Sequence, residues 1–91
     1  MPITVSIIIS GRVQGVYFRQ STKEKAAALG LTGEVRNMPD ESVRIIATGP
    51  SEKLKQLVEW CKQGPPRAVV SHVSVNELPL KSFDKFNVVR L

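Results

Sequence analysis

Cysteine and histidine each occur only once in this chain of 91 residues. A single cysteine cannot form an internal disulfide bond, and one cysteine with one histidine does not make a zinc site. Because 42% of the residues are hydrophobic, a modest core can form without either kind of cross-link. We therefore expect a single domain over residues 1–91, folded in a reducing compartment without a structural metal ion.

Long apolar runs and targeting signals are also missing. The opening residues, MPITVSIIIS, have no basic n-region and no small-residue cleavage site. Their apolar part is far too short to cross a bilayer. We therefore expect a cytoplasmic protein with no membrane partner.

Aromatic residues make up only 5% of the chain, which bears on nucleic-acid binding. The formal net charge of +5 suits an anionic partner, but it can equally serve solubility. An RNA-recognition domain of similar element order carries rings on its central strand, on which bases stack. The first strand here, ITVSIIIS, has no such ring. Nucleic acid is therefore not expected as a partner.

The hydrophobic pattern changes its period in the first half of the chain. Residues 3–10 alternate, with isoleucine or valine at every odd position up to 9, as in a strand with one buried face. From Phe18 to Leu29 the apolar side chains return at helical spacing, and Gly30 stands where a helix C-cap is expected. The segment LTGEVRN then predicts a second strand.

The second half of the chain predicts a hairpin, a helix and two further strands. MPDES is typical of a turn, so SVRIIATG should pair antiparallel with the second strand. Ser51 is the expected N-cap of a helix that Gly64 and two prolines end. The apolar stripe of that helix comprises Leu54, Leu57, Val58 and Cys61. The fourth strand should turn Val69, Val73 and Val75 toward the helices, and KFNVVRL predicts a fifth strand.

This order of elements is β-α-β-β-α-β with one appended strand. It predicts an α+β, ferredoxin-like fold in which two helices cover one face of an antiparallel sheet. Right-handed crossovers place the first strand inside the sheet. Because this fold hosts many unrelated functions, it does not decide the function.

The loop between the first strand and the first helix contains the most informative motif, GRVQGVYFR. A glycine-containing loop at a helix start can turn its backbone amides toward a phosphate group. Arg19, in the first helical turn, can bind phosphate oxygens with two parallel hydrogen bonds. The motif is not a Walker A sequence. Spacing alone leaves open a strand-to-helix turn with solvated arginines.

Three quoted segments resemble the acylphosphatase family: GRVQGVYFR, LGLTGEVRN and GPSEKLKQLVEWCKQGPPRAVVSHVSV. The resemblance extends from Ile3 to Val89. It implies an enzyme without metal or cofactor that hydrolyses carboxyl-phosphate anhydrides to carboxylate and inorganic phosphate. It also implies that Arg19 binds phosphate and that Asn37 positions the attacking water. The implied phosphate-binding loop comprises Arg12, Val13, Gln14, Gly15, Val16, Tyr17, Phe18 and Arg19.

Acyl phosphates suit a site with so few titratable groups. Their leaving group is a carboxylate whose conjugate acid has a pKa of about 4, so it needs no proton. The enzyme then has only to hold the phosphoryl group, stabilise its charge and place a water in line. Asn37 can accept and donate hydrogen bonds without titrating, and it shares its strand face with Leu31 and Val35. We expect a phosphate oxygen to take the proton of the water.

Four other residues need separate interpretation. Glu34 stands where many relatives have an aromatic residue, and Tyr17 where many have glycine or phenylalanine, so both could alter substrate preference or stability. CKQGPPR matches the C-x5-R pattern of cysteine phosphatases, but Cys61 lies on the apolar helical stripe near a C-terminus, which opposes a thiolate. His72 should face away from the helices.

The expected partners are a small acyl phosphate and its product phosphate, which should inhibit competitively, and the chain is expected to be a monomer. The alternatives are a non-catalytic ferredoxin-like module that binds RNA or a small anion, and a copy of the acylphosphatase-like domain of hydrogenase-maturation carbamoyl-transfer proteins. The second alternative is disfavoured, because we expect no further domain within residues 1–91.

Overall fold

The computed structural model describes residues 1–90 and contains five strands and two helices. The elements in chain order are β1 (Pro2–Arg12), α1 (Phe18–Ala28), β2 (Thr32–Asn37), β3 (Val43–Pro50), α2 (Ser51–Gln63), β4 (Val69–Leu78) and β5 (Phe86–Val89). All seven predicted elements are present in the predicted order.

The five strands form one sheet in the order β4-β1-β3-β2-β5, so β1 lies inside the sheet as predicted. The pairs β1–β3, β1–β4 and β2–β3 are antiparallel. The ferredoxin-like α+β fold is therefore confirmed. The expectation of a purely antiparallel sheet is wrong for one pair, because β5 runs parallel to β2.

The path of residues 79–85 explains the parallel strand. This segment leaves β4 at one edge of the sheet and crosses the face opposite the helices. There the main chain of Lys81 accepts a hydrogen bond from Thr48 Oγ1 (2.7 Å) and donates one to Thr4 Oγ1 (2.9 Å). The carbonyl of Lys85 then accepts a hydrogen bond from the amide of Gly33, near the start of β2 (3.1 Å). Because β5 begins beside the start of β2, it can only run in the same direction.

The helices begin and end close to the predicted residues. α1 begins at Phe18, and Gly30 follows its C-terminus with a φ of 73°, which glycine adopts without strain. α2 ends at Gln63, before Gly64 and the prolines. The prediction of Ser51 as N-cap is wrong. Pro50 occupies the cap position, Ser51 is already helical, and no side chain caps the helix.

The core lies between the helices and one face of the sheet. The fully buried side chains include Ile7 and Ile9 of β1, Ile45 of β3 and Leu57 of α2. The rings of Phe18 and Trp60 join the two helices, with their centroids 5.5 Å apart. The alternation seen in the sequence therefore corresponds to one helix-covered face, as the period of two requires.

The fourth strand departs from its predicted pattern at a β-bulge. Ser10 pairs with His72, whereas the next residue, Gly11, pairs with Val70, so β4 contains one extra residue. The extra residue reverses which side chains face the core. Val70 and Val73 pack against it, whereas Val69 is 62% exposed, which corrects the prediction for Val69.

The three parallel strands determine where a site can form. β1, β2 and β5 run in the same direction, so their C-terminal ends lie together at one end of the sheet. The β1–α1 loop, Asn37 and the residue after β5 therefore lie near one another. None of the helices among residues 1–90 is long and apolar enough to cross a bilayer.

Candidate active site

A cavity of about 390 Å³ opens at the end of the sheet where β1, β2 and β5 stop. Its walls come from the β1–α1 loop, the first turn of α1, the end of β2 and the residue after β5. The lining residues are Val13, Gly15, Tyr17, Phe18, Arg19, Gln20, Asn37 and Arg90. Among residues 1–90, this lining contains no carboxylate, imidazole or thiol side chain.

The β1–α1 loop is fixed by its apolar residues and leaves its amides unused. Val13 and Val16 are buried in the core and anchor the loop. Gly15 and Tyr17 both adopt left-handed backbone conformations, with φ of 75° and 63°. Within residues 1–90, the N–H groups from Gly15 to Phe18 donate no hydrogen bond to a protein acceptor, and no side chain caps α1. Such unpaired amides at a helix start attract an anion.

Arg19 supplies a positive charge at the same place. Its side chain leaves the first turn of α1 and lines the cavity, and its Nη1 lies 3.5 Å from the carbonyl oxygen of Val89 in β5. The two ion pairs within residues 1–90 join Arg36 to Glu34 and Lys62 to Glu59. The guanidinium of Arg19 is therefore not neutralised by a carboxylate of the described residues and can bind an anion.

Asn37 is brought to the cavity by the end of β2. It pairs with Val43 of β3 and lies on the same strand face as the buried Val35, as the alternation predicted. The turn that follows is held by the amide of Met38, which donates to the carbonyl of Ser42 (2.8 Å). Arg19 and Asn37, both predicted as site residues, therefore line one cavity.

Asp40 stabilises the β2–β3 turn beyond Asn37. One carboxylate oxygen of Asp40 accepts hydrogen bonds from the hydroxyl of Ser42 (2.6 Å) and from its amide (3.0 Å). These bonds, first the one from the hydroxyl, lower the pKa of Asp40 below its ordinary value of 3.8. The ionised carboxylate thus helps to keep the turn in its present shape.

Gln14 connects two segments beside the cavity, the β1–α1 loop and the β2–β3 turn. Its side-chain amide donates hydrogen bonds to the carbonyl oxygens of Met38 and Ser42, both at 2.9 Å. Gln14, Arg12 and Val16 of the predicted loop do not line the cavity itself. These three residues border a second cavity instead.

Gln20 and Arg90 line the cavity but were not among the predicted site residues. Gln20 directly follows the predicted loop, whereas Arg90 comes from the other end of the chain. In the parallel register Arg36 pairs with Val89, so Arg90 follows beside Asn37. An antiparallel fifth strand would have placed this residue at the far end of the sheet. The signal in the sequence was an arginine within the predicted strand KFNVVRL, but its position depended on the direction of that strand.

Comparisons with known proteins identify the family of this chain. The acylphosphatase family model matches residues 5–88. The chain belongs to the acylphosphatase family. It is 58% identical to an acylphosphatase from Marinobacter nauticus over 73 residues, which cover 80% of this chain and 79% of that protein. Like the relatives it resembles, this member of the family is an enzyme, which confirms the resemblance seen in the sequence motifs.

Two solved structures extend the similarity to the whole fold. An acylphosphatase from Coxiella burnetii superimposes with a TM-score of 0.94 at 38% identity, covering 97% of this chain and 93% of that chain. Full-length HypF in its phosphate- and nucleotide-bound form gives a TM-score of 0.92 at 27% identity. That match covers 99% of this acylphosphatase but only 12% of HypF.

The departures from the family pattern occupy different places in this acylphosphatase. Glu34 lies outside the cavity and forms an ion pair with Arg36 (2.7 Å). The neighbouring Val35 points to the core, so Glu34 and Arg36 point to the opposite face of the sheet. Tyr17 lines the cavity and its side chain is 79% exposed. Tyr17 is therefore the departure that a substrate can touch.

The cysteine-phosphatase pattern around Cys61 has no counterpart in the structure. Cys61 is completely buried in α2, and burial raises the pKa of its thiol to about 12. A thiol that stays protonated is not a nucleophile. Within residues 1–90, no group of three His, Cys, Asp or Glu side chains could hold a metal ion.

Proposed function

We propose that this protein hydrolyses acyl phosphates, the mixed anhydrides of a carboxylic acid and phosphoric acid. The observation that carries the proposal is the meeting of three features in one cavity: the unpaired loop amides, the guanidinium of Arg19 and the carboxamide of Asn37. The phosphoryl group binds against the amides and Arg19, and Asn37 holds the attacking water.

The chemistry of the substrate explains why the cavity needs no titrating side chain. In the proposed reaction the water oxygen forms a bond to phosphorus, and the bond between phosphorus and the acyl oxygen breaks. The electron pair of that bond leaves with the carboxylate, which is stable without a proton at neutral pH. A proton of the water passes to a phosphate oxygen, so that the products are a carboxylate and inorganic phosphate.

The cavity supplies charge stabilisation and orientation. Two guanidinium groups, those of Arg19 and Arg90, border a space whose lining has no negative side chain. Fixed donors of this kind stabilise the charge on the equatorial phosphoryl oxygens in the transition state. Asn37 adds orientation, because its carboxamide can accept a hydrogen bond from the water while it donates another.

The test is the hydrolysis of benzoyl phosphate in the presence of a chelator. We expect the wild-type protein to be active under these conditions. Arg19→Ala and Asn37→Ala should each lower kcat/KM by about 100-fold to 1,000-fold, as removal of one transition-state donor typically does. Lys53→Ala and Asn76→Ala serve as matched controls, since both side chains are exposed and lie outside the cavity. Equal activity of the Asn37 variant and its control would contradict the assigned role.

The same site makes inorganic phosphate a competitive inhibitor, since the product retains the group that the amides and Arg19 hold. We further propose that the protein acts as a monomer. Initial rates at several phosphate concentrations and light scattering during gel filtration test these two points.

A further inference from the structure

A second cavity of about 350 Å³ lies on the other side of the β1–α1 loop. It is lined by Arg12, Gln14, Gly15, Val16 and Arg67. Gly15 lines both this cavity and the phosphate cavity, so one loop residue separates the two spaces. The backbone of Gly15 leaves open space where a side chain would begin, so nothing from this residue closes the gap.

Two positive charges meet at this second cavity although they come from distant parts of the sequence. Arg12 ends β1, and Arg67 lies in the connection between α2 and β4. The pairing of Arg12 with Val69 brings the two segments together. A hydrogen bond from the amide of Ala68 to the carbonyl of Pro65 (3.0 Å) fixes the turn that carries Arg67.

Neither guanidinium is neutralised within residues 1–90, because the two ion pairs there involve other residues. The lining contains no acidic side chain. Two like charges that meet without a counter-charge repel each other, and an anion bound between them relieves that repulsion. Arginine also presents paired donors that match a carboxylate or phosphate group.

We propose that this second cavity binds an anionic group on the acyl part of the substrate. The inference rests on the proposed function: a phosphoryl group in the first cavity places the substrate beside Gly15, which borders both cavities. The preferred substrates are then acyl phosphates that carry a second anionic group, a carboxylate or a phosphate. Arg12 and Arg67 determine this specificity and take no part in the bond-breaking step.

The experiment compares kcat/KM for benzoyl phosphate with kcat/KM for 3- and 4-carboxybenzoyl phosphate. The rigid rings prevent the added carboxylate from attacking the anhydride of its own molecule. The 3- and 4-positions hold that carboxylate at two different distances from the phosphoryl group. We expect the wild-type protein to favour at least one carboxylated substrate by about fivefold, the scale of an exposed ion pair. Arg12→Gln and Arg67→Gln should each reduce that preference, and the double variant should abolish it.

The preference is the ratio of kcat/KM for the two substrates, and comparing this ratio between variants cancels the difference in intrinsic reactivity of the substrates. Lys53→Gln removes the same charge from α2, away from both cavities, and should keep the preference. High salt should weaken the preference in the wild type. A preference that is absent, or that survives in the double variant, overturns the proposal. Failure to hydrolyse benzoyl phosphate at all would instead overturn the proposed function.

Discussion

Gln14 and Met38 connect the two halves of the cavity: the side-chain amide of Gln14 donates a hydrogen bond to the carbonyl of Met38 at 2.9 Å. Met38 directly follows Asn37, and Gln14 directly precedes Gly15 of the amide-bearing loop. The same side-chain amide donates a second hydrogen bond to the carbonyl of Ser42. The distance between the unpaired loop amides and the carboxamide of Asn37 is therefore fixed by a residue that does not line the cavity.

We expect Gln14→Met to lower kcat by about tenfold, with a smaller effect on KM. The variant keeps the length of the side chain but removes two hydrogen bonds, each worth about 0.5–1.5 kcal/mol. Each carbonyl keeps one backbone donor, the amide of Glu41 for Met38 and the amide of Met38 for Ser42. In the proposed mechanism the loop amides should still bind phosphate, whereas the position of Asn37 relative to them is no longer fixed. Steady-state kinetics with benzoyl phosphate and urea unfolding measure the two effects separately.

Gln56→Met is the matched control for this position, because Gln56 is exposed on α2 and lies far along the chain from the loop. It should change neither kcat nor stability appreciably. A Gln14→Met protein that is less stable but retains its kcat would show that the bridge serves folding alone.

Arg90→Gln should weaken binding of phosphate and of substrate, with Ki and KM rising by about fivefold. Arg90 lines the cavity beside Asn37 and adds positive charge, and no side-chain carboxylate of residues 1–90 lies in the lining. Arg36→Gln, on the opposite face of β2, is the charge-matched control. If both substitutions raised Ki equally, the effect would come from net charge and not from the position of Arg90.

The parts of the site that the sequence predicted depend on local rules. The start of α1 at Phe18 followed from a change in period, and the direction of Asn37 followed from the alternation with Val35. Both are set by residues that are neighbours along the chain, so no knowledge of the topology was needed.

The parts that the sequence did not predict depend on contacts between distant segments. Arg90 reaches the cavity only because residues 79–85 cross the open face of the sheet and start β5 beside β2. Val69 turned out exposed because the bulge opposite Ser10 and Gly11 adds one residue to β4. Neither the strand direction nor the bulge leaves a periodic signal in a single sequence.

Asp40→Asn should remove a pH-dependent part of the stability. The hydrogen bonds from Ser42 lower the pKa of Asp40 in the folded protein below its ordinary value of 3.8. The stabilisation is therefore fully present above the unfolded pKa and is lost as the pH falls through the lower folded pKa. The difference in unfolding free energy between wild type and variant should shrink from pH 6 to pH 2. Carboxyl NMR titration of Asp40 gives the folded pKa directly, and an ordinary value would contradict the assignment.

Cys61 should be inert in the native protein and should make it less stable at alkaline pH. Burial raises the pKa of the thiol from 9.0 to about 12, so the folded state resists ionisation that the unfolded chain undergoes more easily. The contribution of the protonated thiol to the free energy of unfolding is complete below pH 9.0 and is lost as the pH rises toward 12. Iodoacetamide at pH 8 should leave native Cys61 unmodified and react with it in urea. Cys61→Ala should retain activity on benzoyl phosphate and should lose less unfolding free energy than wild type between pH 8 and pH 10.5. Rapid alkylation of the native protein with loss of activity would contradict this and return Cys61 to consideration as a nucleophile.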